Sequence, residues 1–391
     1  MAESGKTSLA VLGSTGSIGR STLAVLDRLT DRFDVRALAG GRNVDLLAEQ
    51  VRTWNPRCVS VAGRAEADLL RGRLPNGWRG ELDWGEEPLG RMAADPETDI
   101  VVNGLVGGIG LIPTVKALEA GHRVALANKE SLVMAGRLLA ELAERTGGEI
   151  IPVDSEHSGL FQLLVDRDRN TVSRVVLTAS GGPFRSLSLD ELRRVTPRQA
   201  LAHPTWNMGP RITIDSATLL NKGLEVLEAQ TLFDLPLDEI EVWIHPQSIV
   251  HALVELVDGS LLAQLSQPDM RIPIQLALTY PDRAGNGAAR CRLPELGRLD
   301  FEAPDEERFP CLPLAREAAR RGGLAPAVLN AGDEIAVAAF LRGDIPFTQI
   351  PLLLARLLDA CPRGAADSVE EILEADRWAR ERAESIASSL R

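Results

Sequence analysis

The first 150 residues repeat one pattern: a short apolar run, a turn, then a stretch with apolar residues at helical spacing. LAVL (9–12) leads into a glycine-rich turn and an amphipathic stretch over Ser17–Leu29. FDVRALAG (33–40), CVSVAG (58–63), DIVVNGLV (99–106) and RVALAN (123–128) read as further strands, with NVDLLAEQVRTW (43–54) and IGLIPTVKALEAG (109–121) as helices between them. Such alternation predicts a parallel, doubly wound sheet. GEIIPVD (148–154) reads as the strand that closes it.

Beyond residue 170 the pattern changes. SRVVLTASGG (173–182), RITIDSAT (211–218), IEVWIHP (240–246), HALVELVDG (251–259) and SLLAQLS (260–266) all read as strands, with few helices between them. An α+β domain on a mixed or antiparallel sheet is expected. Residues 281–310 turn rich in Pro, Gly and charge, as in a linker or extended arm. From residue 312 the pattern is helical, and SVEEILEADRWARERAESIASSL reads as a bundle helix with one solvated face.

Composition narrows the class. A chain of 391 residues exceeds one core and should divide into domains. No apolar run is long enough to cross a bilayer, and MAESGKTS has no apolar leader, so a cytoplasmic protein is expected. Cys58, Cys291, Cys311 and Cys361 form no CxxC pair, which predicts free thiols rather than zinc or disulfides. A net charge of -12 disfavours nucleic acid as partner. Only Lys6, Lys116, Lys129 and Lys222 among 43 basic residues are lysines, so each is a candidate for chemistry that a guanidinium cannot do.

VLGSTGSIGR (11–20) places Gly13, Gly16 and Gly19 between the first strand and the first helix, where backbone amides and the helix dipole suit a pyrophosphate. The spacing is GxxGxxG, a departure from GxGxxG. After the second strand the chain reads AGGRN, with Gly41, Arg42 and Asn43 where an NAD site carries an acid. A guanidinium suits a 2′-phosphate, so NADPH is the expected cofactor; a plain surface arginine is the alternative. LANKESLV puts Asn128, Lys129 and Glu130 past another strand end, with Lys129 toward the nicotinamide. A simple helix start, capped by Asn128, is the other reading.

In VDSEHS (153–158), Asp154 and Glu156 stand at i and i+2. On a continuing strand they share a face, and two carboxylates held together need a proton or a cation between them. A helix N-terminus explains the same residues as caps. DSATLLNKGLEVLEA (215–229) gathers Ser216, Asn221, Lys222 and Glu225. With a helix starting near Leu219, Lys222 and Glu225 make an i,i+3 pair, either a surface ion pair or part of a phosphate cradle. Asp154, Glu156 and Glu225 together make an oxygen-only set that favours Mg²⁺ or Mn²⁺ over zinc. Ser180 in TASGGPF is a further anion contact, and AHPTWNMG (202–209), with His203, Trp206 and Gly209, has the make-up of a closing loop. A buried structural Trp is the plain alternative.

In this order, GSTGSIG, ANKE, VDSEHS, TASGGPF, HPTWNMG, DSATLLNKGLEV, IHPQSIVH and PDMRIPI resemble the 1-deoxy-D-xylulose 5-phosphate reductoisomerase family, from the first strand to about residue 280. Departures are Thr205, where Asn is commoner, and Arg211, where Lys is usual. The resemblance implies an α/β chain with a Rossmann-like NADP-binding domain (1–153), an α+β catalytic domain (154–282) with a flexible loop (202–210), a linker or arm (283–311) and a C-terminal helical domain (312–391). It implies rearrangement of 1-deoxy-D-xylulose 5-phosphate and its reduction by NADPH to 2-C-methyl-D-erythritol 4-phosphate, a step towards isoprenoids. Asp154, Glu156 and Glu225 become ligands of Mn²⁺, Mg²⁺ or Co²⁺, and the cation reading of Asp154 and Glu156 is then preferred. Ser155, Ser180, His203, Trp206, Ser216, Asn221 and Lys222 become substrate contacts. Thr15, Gly16, Ser17, Ile18, Gly41, Arg42, Asn43, Asn128, Glu130 and Gly209 fall to NADPH, with Lys129 at the junction. His245 and His251 stand behind the site. A homodimer is implied, with a small sugar phosphate as partner and neither nucleic acid nor membrane. Another NADP-dependent dehydrogenase, homoserine-dehydrogenase-like, or a silent NADP-binding relative are the competing classes.

Overall fold

Seven strands carry the alternation of the first part of the chain: β1 (Thr7–Leu12), β2 (Phe33–Ala39), β3 (Cys58–Val61), β4 (Glu81–Trp84), β5 (Ile100–Asn103), β6 (Arg123–Leu126) and β7 (Glu149–Pro152). They form one parallel sheet in the order β4-β3-β2-β1-β5-β6-β7. The winding reverses between β1 and β5, which opens a crevice at the carboxyl ends of those two strands. Leu9, Ala10, Val11, Val101 and Val102 are fully buried. Helices cover both faces of such a sheet, so its central strands read as unbroken apolar runs.

The computed structural model describes residues 5–206, 208–285 and 287–390. Met1–Ser4, where the leader was sought, and Asn207, inside the predicted loop, lie outside them. The chain divides into two compact units. The first comprises Met1–Ser131, Leu139–Ser158 and Asp269–Ala288. Its last segment carries the helix Arg271–Thr279, which follows the middle strands in sequence yet packs on the helix Ser17–Leu26 and against β6 and β7. Ile274, Ala277 and Leu278 are buried there, and Arg123 donates to the Tyr280 carbonyl at 2.7 Å.

The second unit comprises Leu132–Leu138, Gly159–Pro268 and Ala289–Arg391. Its mixed sheet has β8 (Val172–Ala179), β9 (Ile240–Ile244), β10 (Val250–Leu256) and β11 (Leu261–Leu265) in the order β11-β10-β8-β9, with only β8 and β9 parallel. RITIDSAT, expected as a strand, is instead the helix Pro210–Thr218. Pro210 presets the first helical φ, and the Thr213 hydroxyl donates to the Gly209 carbonyl at 2.8 Å. With Ile214 and Ala217 fully buried, packing overrides the strand preference of the β-branched residues. The Pro-rich arm pairs Glu302 with Ile244 through two backbone bonds of 2.8 and 2.9 Å, and Phe301 stacks on His245 at 4.6 Å. Helices Cys311–Arg321, Ala325–Arg342, Ile350–Asp359 and Val369–Ser389 complete the unit, the last burying Ile372, Ala375, Ala379, Ala383 and Ile386. All four cysteines are free thiols. Among the described residues no helix is long and apolar enough to cross a membrane.

Candidate functional site

The glycine-rich turn after β1 is shaped by its backbone. Gly13 has φ +82°, and a Cβ there would fall 2.5 Å from the Gly104 carbonyl oxygen, so a side chain is excluded on two counts. The Gly16 amide closes the turn onto the Gly13 carbonyl at 2.9 Å. Gly16 then caps the helix Ser17–Leu26 with no side chain over the first-turn amides, and no acid lies in that turn. Gly16 and Ser17 are exposed, and Thr15 and Ile18 half-buried, which leaves an amide-rich helix end suited to an anion. Beside it, Gly41, Arg42 and Asn43 are exposed past β2, and the Gly41 amide donates to Thr15 Oγ1 at 3.5 Å. Asn43 caps the helix Val44–Trp54 by accepting from the Leu46 amide at 3.2 Å.

Asn128 and Glu130 do something the sequence did not disclose. Asn128 is fully buried, and its Oδ1 accepts from the Ser131 amide at 3.0 Å, so it is indeed a helix cap. Its Nδ2 donates to the carbonyls of Leu105 (3.1 Å) and Gly107 (3.0 Å) and to Glu130 Oε2 (2.8 Å). Glu130 Oε1 in turn accepts from the Gly107 amide at 3.0 Å. The two side chains thus shape the loop 104–110, which leaves β5 at the crevice. Lys129, between them, is buried and donates to Asp154 Oδ2 at 2.9 Å.

At Asp154 the strand reading fails. β7 ends at Pro152, the helix Ser155–Leu164 begins at once, and the Asp154 carbonyl accepts from the Ser158 amide at 2.8 Å. Pro152 has no N–H with which to extend a ladder, and Asp-Ser-Glu is a favourable helix start. Asp154 and Glu156 therefore do not share a face by strand alternation; two steps of a helix separate them by about 200° around its axis. Glu156 accepts from Ser155 Oγ at 2.5 Å. His157, which the sequence reading passed over, is fully buried and brings a ring nitrogen within 4.8 Å of an Asp154 carboxylate oxygen. Its place three residues after a cap, on the inner face of a helix, is the signal that was available.

In the second unit four segments converge. Ser180 directly follows β8, and Gly182, two residues on, has φ +67°, with a virtual Cβ only 2.7 Å from the Ser216 carbonyl oxygen. Glycine is what lets this turn lie against the helix Pro210–Thr218. His203 joins the two: its Nδ1 accepts from the amides of Thr205 (3.1 Å) and Trp206 (2.9 Å). The ring proton is therefore on Nε2, which donates toward Ser180 Oγ (3.0 Å) and Ser216 Oγ (3.1 Å). Burial holds this imidazole below the usual histidine range, in favour of the neutral form. The half-buried Trp206 lies 6.5 Å, ring to ring, from His251, with Met208 and Gly209 following.

Leu219, at φ +61°, breaks the chain between the helices Pro210–Thr218 and Leu220–Leu232. The second helix presents Asn221, Lys222 and Glu225 on one side. Asn221 Nδ2 donates to Glu225 Oε1 at 2.5 Å, and the Lys222 ammonium is hydrogen-bonded to Glu225 Oε2. Lys222 is 3% and Glu225 1% exposed, so this is a buried charge pair and not a solvated one. Two of the four lysines are thus buried against carboxylates. His245 is also buried, its Nδ1–H donating to the Asp300 carbonyl at 2.8 Å, and His251 bonds the Ser266 carbonyl at 3.3 Å. Both are fixed by the surrounding backbone.

Three family models match the chain in succession: 1-deoxy-D-xylulose 5-phosphate reductoisomerase over residues 9–136, the C-terminal domain of the same enzyme over 150–233, and the DXP reductoisomerase C-terminal domain over 265–382. A 1-deoxy-D-xylulose 5-phosphate reductoisomerase of Pelotomaculum thermopropionicum is 51% identical over 372 residues, covering 95% of this chain and 96% of that one. One from Chlorobium phaeobacteroides is 49% identical over 381 residues, 97% and 100% of the two chains. The solved reductoisomerase of Zymomonas mobilis in complex with NADPH superimposes with TM-score 0.92 at 42% identity, over 98% of this chain and 100% of that one. A DOX-P reductoisomerase solved with NADPH, fosmidomycin and magnesium gives TM-score 0.93 at 41% identity, over 97% and 98%.

Proposed function

The chain belongs to the 1-deoxy-D-xylulose 5-phosphate reductoisomerase family, and on that premise we propose how its own side chains divide the work. The activity is the NADPH- and divalent-metal-dependent rearrangement and reduction of 1-deoxy-D-xylulose 5-phosphate to 2-C-methyl-D-erythritol 4-phosphate. What carries the assignment of substrate residues is the hydrogen-bonded meeting of His203, Ser180 and Ser216 from three separate segments.

The phosphate is held by Ser180, His203, Ser216, Asn221 and Lys222, a set of neutral donors with one ammonium. It lies away from the bonds that change, so its binding energy orients the reacting end. Ser155 contacts the substrate, and Trp206 closes over it to exclude water. Thr15, Gly16, Ser17 and Ile18 receive the pyrophosphate of NADPH, while Gly41, Arg42 and Asn43 take the 2′-phosphate. Asn128 and Glu130 serve the cofactor through the loop 104–110, Gly209 is a further cofactor contact, and Lys129 serves the junction of cofactor and substrate.

Asp154, Glu156 and Glu225 are proposed as ligands of Mn²⁺, Mg²⁺ or Co²⁺, with the buried His157 beside them. The donor chemistry fits a hard cation: carboxylate oxygens, of which Glu225 is buried and Asp154 half-buried, each already balanced by an ammonium. When bound, such an ion stabilises negative charge on the substrate oxygens, and NADPH supplies the hydride. The chain's own part is to set an ammonium beside two of these carboxylates, Lys129 against Asp154 and Lys222 against Glu225.

NADPH oxidation with 1-deoxy-D-xylulose 5-phosphate, with and without Mn²⁺, tests the assignment; no oxidation despite bound NADPH would overturn it. We further propose a homodimer, supported by the open edge of β11 and the exposed Val257 (69%) and Leu261 (46%) beside it, to be checked by light scattering. Four free thiols support a reducing compartment, the cytoplasm.

A further inference from the structure

The helix Pro210–Thr218 carries Ser216 into the phosphate set, yet its own N-terminus has no side-chain cap. What secures it is Arg211, one residue inside. Its Nη2 donates to Asn330 Oδ1 (2.7 Å) and Asp333 Oδ2 (3.0 Å), Nε to Asp333 Oδ2 (3.1 Å), and Nη1 to Glu334 Oε1 (3.0 Å). Asp215, one turn on, lies 3.7 Å from Nε. Asn330 and Asp333 are fully buried on the helix Ala325–Arg342. From the last helix Arg380, paired with Asp376 of its own helix at 2.7 Å, reaches Glu334 at 2.8 Å, which ties one of these acceptors to a third element.

One end of the helix Pro210–Thr218 is therefore fixed to the C-terminal helices. Ser216, five residues and about 7.5 Å along the axis, is at the other end. There His203 Nε2 bonds Ser216, while its Nδ1 takes the amides of Thr205 and Trp206, so loop and helix form a closed ring with Arg211 as its anchor. We propose that Arg211 is a positioning residue for the phosphate-binding set: by clamping this helix to the buried Asn330 and Asp333 and the half-buried Glu334 it fixes where Ser216, His203 and Ser180 stand. The inference rests on the reading that this set holds the substrate phosphate. In this chain the guanidinium makes four bonds to three acceptors spaced over about one helical turn, more than the three hydrogens of a single ammonium can supply. Burial raises the Asp333 carboxyl above the ordinary range, and the paired Arg211 guanidinium opposes that rise.

The test is Arg211→Lys in the full-length enzyme, with kcat and KM for both substrates and competitive inhibition by inorganic phosphate. KM for the sugar phosphate and the inhibition constant of phosphate should each rise about tenfold, while KM for NADPH stays at the wild-type value. Glu334→Gln, a milder lesion of the same clamp, should shift the same two constants by about threefold. A folded Arg211→Lys enzyme with wild-type KM for the sugar phosphate would overturn the inference. So would an equal rise for both substrates, which marks general loosening. If Arg211→Lys does not fold, Glu334→Gln is judged by the same two criteria. Absence of turnover in the wild type is a different failure, since it removes the functional reading itself.

Discussion

Replacing Glu225 by Gln changes one oxygen for an amide at nearly constant volume, and the local geometry says why that should matter. One carboxylate oxygen accepts from Asn221 Nδ2 at 2.5 Å and the other from the Lys222 ammonium, in surroundings where neither Lys222 nor Glu225 is more than 3% exposed. A glutamine has only one acceptor oxygen, so it cannot accept from both Asn221 and the ammonium, and one of the two bonds is lost or Asn221 must turn its amide over. Removing one partner of a buried pair costs roughly 3–5 kcal/mol, and with one bond retained the expected loss is about 3 kcal/mol of unfolding free energy. A second effect follows if Glu225 is a metal ligand: the Mn²⁺ concentration for half-maximal NADPH oxidation should rise by about a hundredfold. Urea unfolding with and without Mn²⁺ separates the two effects. Wild type should gain about 2.7 kcal/mol at metal a hundred times Kd, and the variant should gain little at the same concentration. An unchanged Mn²⁺ midpoint in folded Glu225→Gln would refute the ligand assignment, whatever the stability loss.

Two further predictions concern the loop and the cofactor. Because burial lowers the pKa of His203 beneath its ordinary 6.5, the fold binds fewer protons there than the unfolded chain; its contribution is intact above pH 6.5 and is lost as pH falls. Protonating Nδ1 also breaks the two amide bonds that order Thr205 and Trp206, so KM for the sugar phosphate should climb below pH 6.5 in wild type. A His203→Gln profile with the same acid limb would contradict this. Arg42→Gln should raise KM for NADPH about tenfold and leave KM for NADH nearly constant, a ratio read from steady-state oxidation of each; parallel changes would make Arg42 an ordinary surface residue.

Six of the seven strands of the first sheet were legible because the central ones are buried on both faces and separated by helices, so local pattern and tertiary role coincide; β4, at the sheet edge and largely unburied, was not read. RITIDSAT was misread because β-branched residues at period two are also compatible with a helix when Pro210 opens it and Ile214 and Ala217 are buried against neighbours. Residue types at the site were visible: Lys129, Lys222 and Glu225 stood out by rarity and by company. Their geometry was not. Asp154 and Glu156 were joined by a strand alternation that Pro152 ends, and the roles of Asn128 and Glu130 depend on a loop twenty residues earlier in the chain. Arg211 registered only as a departure from a family pattern, since its partners lie some 120 residues away.

The helix Arg271–Thr279 also bears on how the polypeptide is made. Synthesis is vectorial, and the nucleotide unit draws on residues 269–288 to cover the helix Ser17–Leu26 and the edge near β6 and β7. That unit is therefore left open on the ribosome until most of the second unit has already been translated. A gene fragment ending after β7 encodes all seven strands of the sheet and still lacks a piece of its own wall.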